Sequence, residues 1–198
     1  MDNQINKTVY EMFEQRGYTI THEDYGEDED CGNGEEGGVK QNYLKGTTNH
    51  GTNIVVFLNV IGKFNVCNFS SVVGILNKMN VNHCIIIYDV ITSAVKKLID
   101  NISYLQLKDI KTIQHKIGNF INLKIELFES RQLRYNITKH ELVPKHIRLS
   151  DEEALPFKKE KYPILKHDDP VAKFYGFEKN NIIKIIRSGG YICYRIVK

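Results

Sequence analysis

The sequence predicts an α+β protein in two parts, an N-terminal α/β domain over residues 1–138 and a small helix-and-hairpin domain over residues 139–198. Three observations carry this expectation. Two short apolar runs, Ile54-Val55-Val56-Phe57-Leu58 and Cys84 to Tyr88, are followed by segments of helical periodicity, Val72 to Met79 and Thr92 to Ile99. Strands alternating with helices imply a mainly parallel sheet. Ile121, Leu123, Ile125 and Leu127 alternate with Asn122, Lys124 and Glu126, the two-residue period of a half-buried strand that closes the first domain. Near the C-terminus, Ile182 to Arg187 and Tyr191 to Val197 flank Ser188-Gly189-Gly190, the strongest hairpin signal in the chain.

The remaining elements follow in order. Ile5, Val9, Met12 and Phe13 form an apolar stripe at helical spacing that reaches Arg16, with Gly17 just past its end, so a short amphipathic helix precedes Tyr18-Thr19-Ile20. Residues 23–38 are rich in acid and glycine and cannot bury enough apolar surface to offset chain entropy, so a mobile loop is expected there. After a boundary near Thr138–Pro144, His146 to Leu149 fits a strand, and Ser150-x-x-Glu153 is a capping-box start for a helix running toward Lys159. Pro163 blocks its continuation. Asp168-Asp169-Pro170 then places a carboxylate cap before proline at the first helical position, opening a short helix through Tyr175 that Gly176 ends. A second domain of about 60 residues is marginal alone and calls for a partner.

Bulk properties narrow the function. No run approaches the ~20 consecutive apolar residues of a spanning helix, and Met1-Asp2-Asn3-Gln4 lacks the layout of a secretory signal, so an intracellular location without a membrane is expected. Cys31, Cys67, Cys84 and Cys193 are far apart with no Cys-x-x-Cys among them, and the histidines are scattered singly; neither a zinc site nor a disulfide framework is written here. The formal charge of +3 hides an asymmetry. Eight acids fall between Glu23 and Glu36; setting them aside leaves 27 Lys and Arg against 16 Asp and Glu, a charge of +11. A basic body suits a neighbour of nucleic acid or of an acidic protein surface, although a lysine-rich solvated surface has the same composition.

At the junction the chain acquires a family likeness. Asn136-Ile137-Thr138 and His140-Glu141-Leu142-Val143-Pro144-Lys145-His146-Ile147-Arg148-Leu149-Ser150 resemble the junction segment of the fifth subunit shared by the nuclear RNA polymerases. Asp169-Pro170-Val171-Ala172, Tyr175-Gly176, Ile182 to Arg187 and Tyr194-Arg195 resemble the rest of that subunit's assembly module, which has a counterpart in the archaeal RNA polymerase. Upstream, Arg16-Gly17-Tyr18-x-Ile20-Thr21-x-Glu23 and Thr92-Ser93-Ala94 are similar to pieces of the eukaryotic N-terminal jaw domain, which the archaeal counterpart lacks. The likeness therefore implies a eukaryotic polymerase or that of a large DNA virus, working in the nucleus or in the host cytoplasm or virion.

The resemblance implies a nuclease-like but inactive jaw, no cofactor, and polymerase subunits as partners, the largest one above all, rather than a second copy of the chain. His146, Arg148, Asp169, Pro170, Tyr175, Arg187, Tyr194 and Arg195 become candidate interface residues; the anchors Arg187, Tyr194 and Arg195 have an internal role as their alternative. Thr92, Ser93, Ala94, Lys96 and Lys97 become candidates for weak, sequence-independent contact with downstream duplex DNA, a solvated helical face being the alternative. Ile91-Thr92-Ser93-Ala94 stands where the family has Thr-Pro-Ser-Ala, the loop at 188–190 is short, and Asn181 replaces a glycine that a left-handed backbone favours. Two other readings remain: a free-standing DNA-binding regulator built on the same module, and a residual nuclease using Asp89 or Glu126.

Overall fold

A computed structural model describes residues 3–24, 42–104, 123–157 and 161–198. Most of the acidic window at 23–38 lies outside the described residues, as do Ile121 and residues 158–160. The chain divides into two compact units that do not follow chain order. One comprises Gly17–Gln132; the other joins Asn3–Arg16 to Leu133–Lys198, so the sequence boundary at 138 and the contact boundary differ at both ends.

In the first unit, strands β1 (Tyr18–Asp24), β2 (Tyr43–Thr48), β3 (Asn53–Phe64), β4 (His83–Ile91) and β5 (Lys124–Glu129) form one sheet in the order β1-β2-β3-β4-β5. The expectation of a mainly parallel sheet is corrected here. β3, β4 and β5 run parallel, but β1–β2 and β2–β3 are antiparallel, so the sheet is mixed. The reason is β2, whose sequence Tyr-Leu-Lys-Gly-Thr-Thr carries no apolar run and escaped the pattern. Only four residues, Asn49 to Thr52, connect β2 to β3, and a link that short permits an antiparallel partner alone.

Helices α2 (Val66–Met79) and α3 (Ser93–Tyr104) follow β3 and β4. Asn65 and Asn68 close a reciprocal capping box at the start of α2, and left-handed Asn80 (φ +52°) ends it. Val55, Phe57, Phe69, Val72, Leu76, Cys84, Ile86, Val95 and Ile99 pack into one core between helices and sheet. Residues pointing the other way from β3 and β4, among them Val56, Ile85 and Ile87, are buried too, which is why those strands read as unbroken apolar runs.

The second unit contains α1 (Asn3–Gln15), β6 (Lys145–Arg148), the single turn α4 (Asp151–Ala154), β7 (Ile164–Leu165), α5 (Pro170–Tyr175), β8 (Ile182–Ile186) and β9 (Ile192–Val197). Its sheet order is β6-β8-β9-β7, with the β8–β9 hairpin at the centre. The predicted signals act as expected: Ser150 and Glu153 form the capping box of α4, Asp169 caps α5 ahead of Pro170, and Gly176 takes the left-handed conformation (φ +67°). One detail differs. The left-handed residue before β8 is Asn180 (φ +70°), not Asn181, whose side-chain oxygen instead accepts the Glu178 amide at 2.8 Å.

Candidate subunit interface

Because side chains alternate across a strand, the small sheet has two faces of different character. Ile183, Ile185, Cys193 and Val197 point to one face and pack with Leu165, Ala172 and Phe177. On the other face Ile182 and Ile196 are sealed by Leu149, with Phe157, Tyr162 and Tyr194 half-buried beside them. That second face is incompletely covered. Ile192, cross-strand from Ile186, is 51% exposed, and Ile164, opposite Ile196 on the edge, is 52% exposed; Tyr191, at the tip of the hairpin, is 76% exposed. Lys145 and Lys184 share this face, so its exposed apolar residues have positive charge among them.

The predicted interface residues divide into two groups. Arg148, Pro170 and Arg187 are exposed, and Tyr175 is half-buried with its ring stacked on Phe177 at 5.1 Å. Among the described residues, Arg148 makes a long contact to Asp151, 3.7 Å. The others make internal contacts. The Asp169 carboxylate accepts the Val171 and Ala172 amides, Tyr194 packs on Phe157 at 4.7 Å between ring centroids, and Arg195 donates to the Ile164 carbonyl at 3.2 Å. His146 is half-buried with Nδ1 2.7 Å from the Pro144 carbonyl, and burial lowers its pKa. Tyr191 and Ile192 read as ordinary strand residues and Ile164 carried no sequence signal; their exposure came only from the fold.

The sequence reading also missed the contacts of α1. Glu11 takes hydrogen bonds from Lys139 Nζ and Asn136 Nδ2, both at 2.8 Å, and these hold its carboxyl below the usual range. Thr138 Oγ1 lies 3.0 Å from Gln15 Oε1. Arg16 donates from Nε to the Phe174 carbonyl (2.9 Å) and from Nη2 to that of Lys173 (2.7 Å). An open cleft of about 320 Å³ beside this seam is lined by residues that include Lys7, Glu11, Tyr135 and Lys139.

In the first unit, the candidate DNA residues sit where β4 passes into α3. The Thr92 amide donates to Phe64 at the end of β3 (3.1 Å), and its hydroxyl accepts the Val95 amide at a long 3.4 Å. Ser93, Ala94, Lys96 and Lys97 are exposed. Since α2 and α3 both begin at the C-terminal ends of parallel strands, their positive ends emerge at the same sheet edge.

Asp89 and Glu126 do not converge on one site. Glu126 lies in register with Ile85 and bonds His83 Nε2 at 2.7 Å, whereas Asp89, four residues further along β4, is held by Ser130 Oγ. That offset is about 13 Å along the ladder, too far for two acids to share one metal. Among the described residues no group of three or more His, Cys, Asp or Glu could hold a metal ion.

Comparison with known proteins gives this geometry a context. Residues 135–197 match the family model for the C-terminal domain of RNA polymerase Rpb5. The chain is 30% identical to a subunit of the DNA-directed RNA polymerases I, II and III of Dictyostelium discoideum over 209 positions, covering 98% of this chain and 95% of that protein. The chain belongs to the Rpb5 family of RNA polymerase subunits. Two further relatives align in part. A protein of Invertebrate iridescent virus 6 named as a putative DNA-directed RNA polymerase subunit is 35% identical over 104 residues, 45% of this chain. The Caenorhabditis briggsae subunit is 37% identical over 83 residues, 37% of this chain. The chain spans 56% of the viral relative and 39% of the nematode one. The Rpb5 C-terminal match begins at Tyr135, so α1 lies outside it.

Proposed function

We propose that this chain is a non-catalytic assembly and jaw subunit of a DNA-directed RNA polymerase. Its C-terminal unit docks on the largest subunit through the incompletely covered face and tip of the β8–β9 hairpin. Full-length likeness to the Dictyostelium polymerase subunit carries this reading. Exposed Tyr191 and Ile192 at the hairpin tip, with the Arg187 amide bonded to the Tyr191 carbonyl at 2.8 Å, supply the apolar and arginine anchors that interfaces favour. The first unit contributes Ser93, Ala94, Lys96 and Lys97 to a phosphate-facing edge along downstream duplex, a contact that fixes position without reading sequence. Phosphoryl transfer and its metals belong to other subunits. Such a subunit works where its polymerase works: in the nucleus for a cellular enzyme, in the host cytoplasm or the virion for a viral one.

Affinity purification of the tagged full-length chain, followed by mass spectrometry, tests the proposal. Large polymerase subunits are expected in the eluate, and their absence removes it. A gel shift at two salt concentrations separates a subunit from a free-standing DNA-binding regulator. The subunit alone holds only part of a DNA footprint and binds weakly, whereas a regulator binds tightly by itself.

A further inference from the structure

The strongest unclaimed feature is the attachment of α1 to residues 133–198, across more than a hundred residues of intervening chain. Ile5, Val9, Met12 and Phe13 are buried on one side of α1. Glu11 and Gln15 reach the turn at 136–139, and Arg16 ends the helix with its guanidinium against the last turn of α5. The carbonyls there form the partly negative end of a helix, where Lys173 already accepts the Gly176 amide at 3.0 Å. A planar arginine fork that donates to two of them at once does what a lysine point charge cannot.

Gly176 shows how closely the fork sits. A Cβ at that residue would lie 2.9 Å from Arg16 Cζ, so glycine serves both the left-handed turn and the approach of the guanidinium. The two carbonyls belong to Lys173 and Phe174, and the next side chain is Tyr175. The geometry points to a discontinuous docking module, residues 3–16 with 133–198, in which Arg16 is a positioning residue. It fixes the last turn of α5 and thereby the presentation of Tyr175. This inference rests on the docking role proposed above, and it extends the module beyond the family match at 135–197.

The experiment compares full-length tagged chains carrying Arg16→Met, Arg16→Lys or Tyr175→Ala. Two readouts are taken: hydrogen exchange at residues 172–177, and the rate at which the largest polymerase subunit dissociates from the captured complex. Hydrogen bonds to a charged donor in a half-buried site predict about tenfold faster exchange at 172–177 in Arg16→Met, with exchange across β3 and β4 unchanged. Dissociation accelerates severalfold in the same variant, and Arg16→Lys falls between it and the parent. Should Arg16→Met fail to fold, Arg16→Lys carries the test, since it keeps the charge and loses only the fork. Unchanged exchange at 172–177 overturns the clamp. Faster exchange with unchanged dissociation, while Tyr175→Ala releases the partner, overturns the positioning role and leaves docking intact. If Tyr175→Ala and Arg16→Met both leave dissociation unchanged, Tyr175 is no docking residue and the positioning role falls, while docking through the hairpin tip and its incompletely covered face stands.

Discussion

Helices α3 and α5 each start near a strand, and they start in opposite ways. At α5 the Asp169 carboxylate accepts two amides, at 2.9 and 3.4 Å, and Pro170 occupies the next place without an N–H to satisfy. At α3 the corresponding bond is a neutral hydroxyl at 3.4 Å, and Ser93, Ala94, Lys96 and Lys97 stay in solvent. A carboxylate that closes a helix end from within also repels an approaching phosphate, whereas an open end flanked by lysines attracts one. The small unit therefore closes its helix start with a carboxylate, and the larger unit leaves one bordered by exposed lysines.

The most disruptive test of that contrast removes packing rather than a cap. Phe174, 1% exposed at the heart of α5, has few ways to be replaced, and Phe174→Ala is expected to cost about 3–5 kcal/mol. In so small a unit that is a large share of the total stability. Hydrogen exchange resolved by residue should show 133–198 and α1 opening together, with β3 and β4 protected as before. If α5 keeps its protection, the Asp169 cap and the Arg16 contacts hold the helix without the core.

A smaller effect compares the two caps directly. Asp169→Ala should cost about 1 kcal/mol, as expected for a well-made N-cap, and Thr92→Ala within about 0.5 kcal/mol, because its bond is long and its surroundings are wet. Equal losses in chemical denaturation would mean that α3 is closed as firmly as α5, which would weaken the case for an open phosphate-facing edge.

The caps were legible in the sequence because their chemistry is local. Asp169-Pro170 with Gly176, Ser150 with Glu153, and the turn at 188–190 were all predicted from residues within a few places of one another. The helices α1, α2 and α3 declared themselves by periodicity, and the inner strands β3 and β4 by unbroken apolar runs. What stayed hidden was non-local or unpatterned. β2 carries Lys45, Gly46 and two threonines in six residues, so nothing marked it as a strand until its pairing with β3 was seen. Arg16 sits at the end of an ordinary amphipathic helix, and no spacing rule connects it to carbonyls 157 and 158 residues away. For the candidate interface, Arg187 and Arg148 were named through the family resemblance, and both are exposed. The internal contacts of Tyr194 and Arg195 and the exposure of Ile192 depended on how two faces of one small sheet are covered.

The open start of α3 can be sharpened by salt. In the Lys96→Ala, Lys97→Ala double variant stability should change little, since both side chains are exposed. If each lysine neutralises one phosphate, the slope of log affinity against log salt for duplex DNA should become shallower by about 2. The measurement uses the purified full-length chain across a salt series. An unchanged slope would place the duplex contact elsewhere on the basic surface, and the two helix starts would then differ in stability only.

The smallest effect concerns a carboxylate at the side of a helix rather than at its start. Glu11 on α1 is stabilised in its charged form by Lys139 first and Asn136 second, so its folded pKa lies below the ordinary value of 4.5. A carboxyl shifted this way adds stability that is fully present above its unfolded pKa and is lost as pH falls toward the folded one. Lys139 is 61% exposed, and solvent screening keeps the pair's contribution below about 1 kcal/mol. Glu11→Gln should therefore lower the stability of the C-terminal unit slightly at neutral pH and flatten its decline between about pH 5 and pH 3. Hydrogen exchange of α1 followed across that range provides the measurement. A parent and variant with the same acid profile would show that α1 is held by its apolar face and Arg16, with Glu11 adding nothing measurable to the seam.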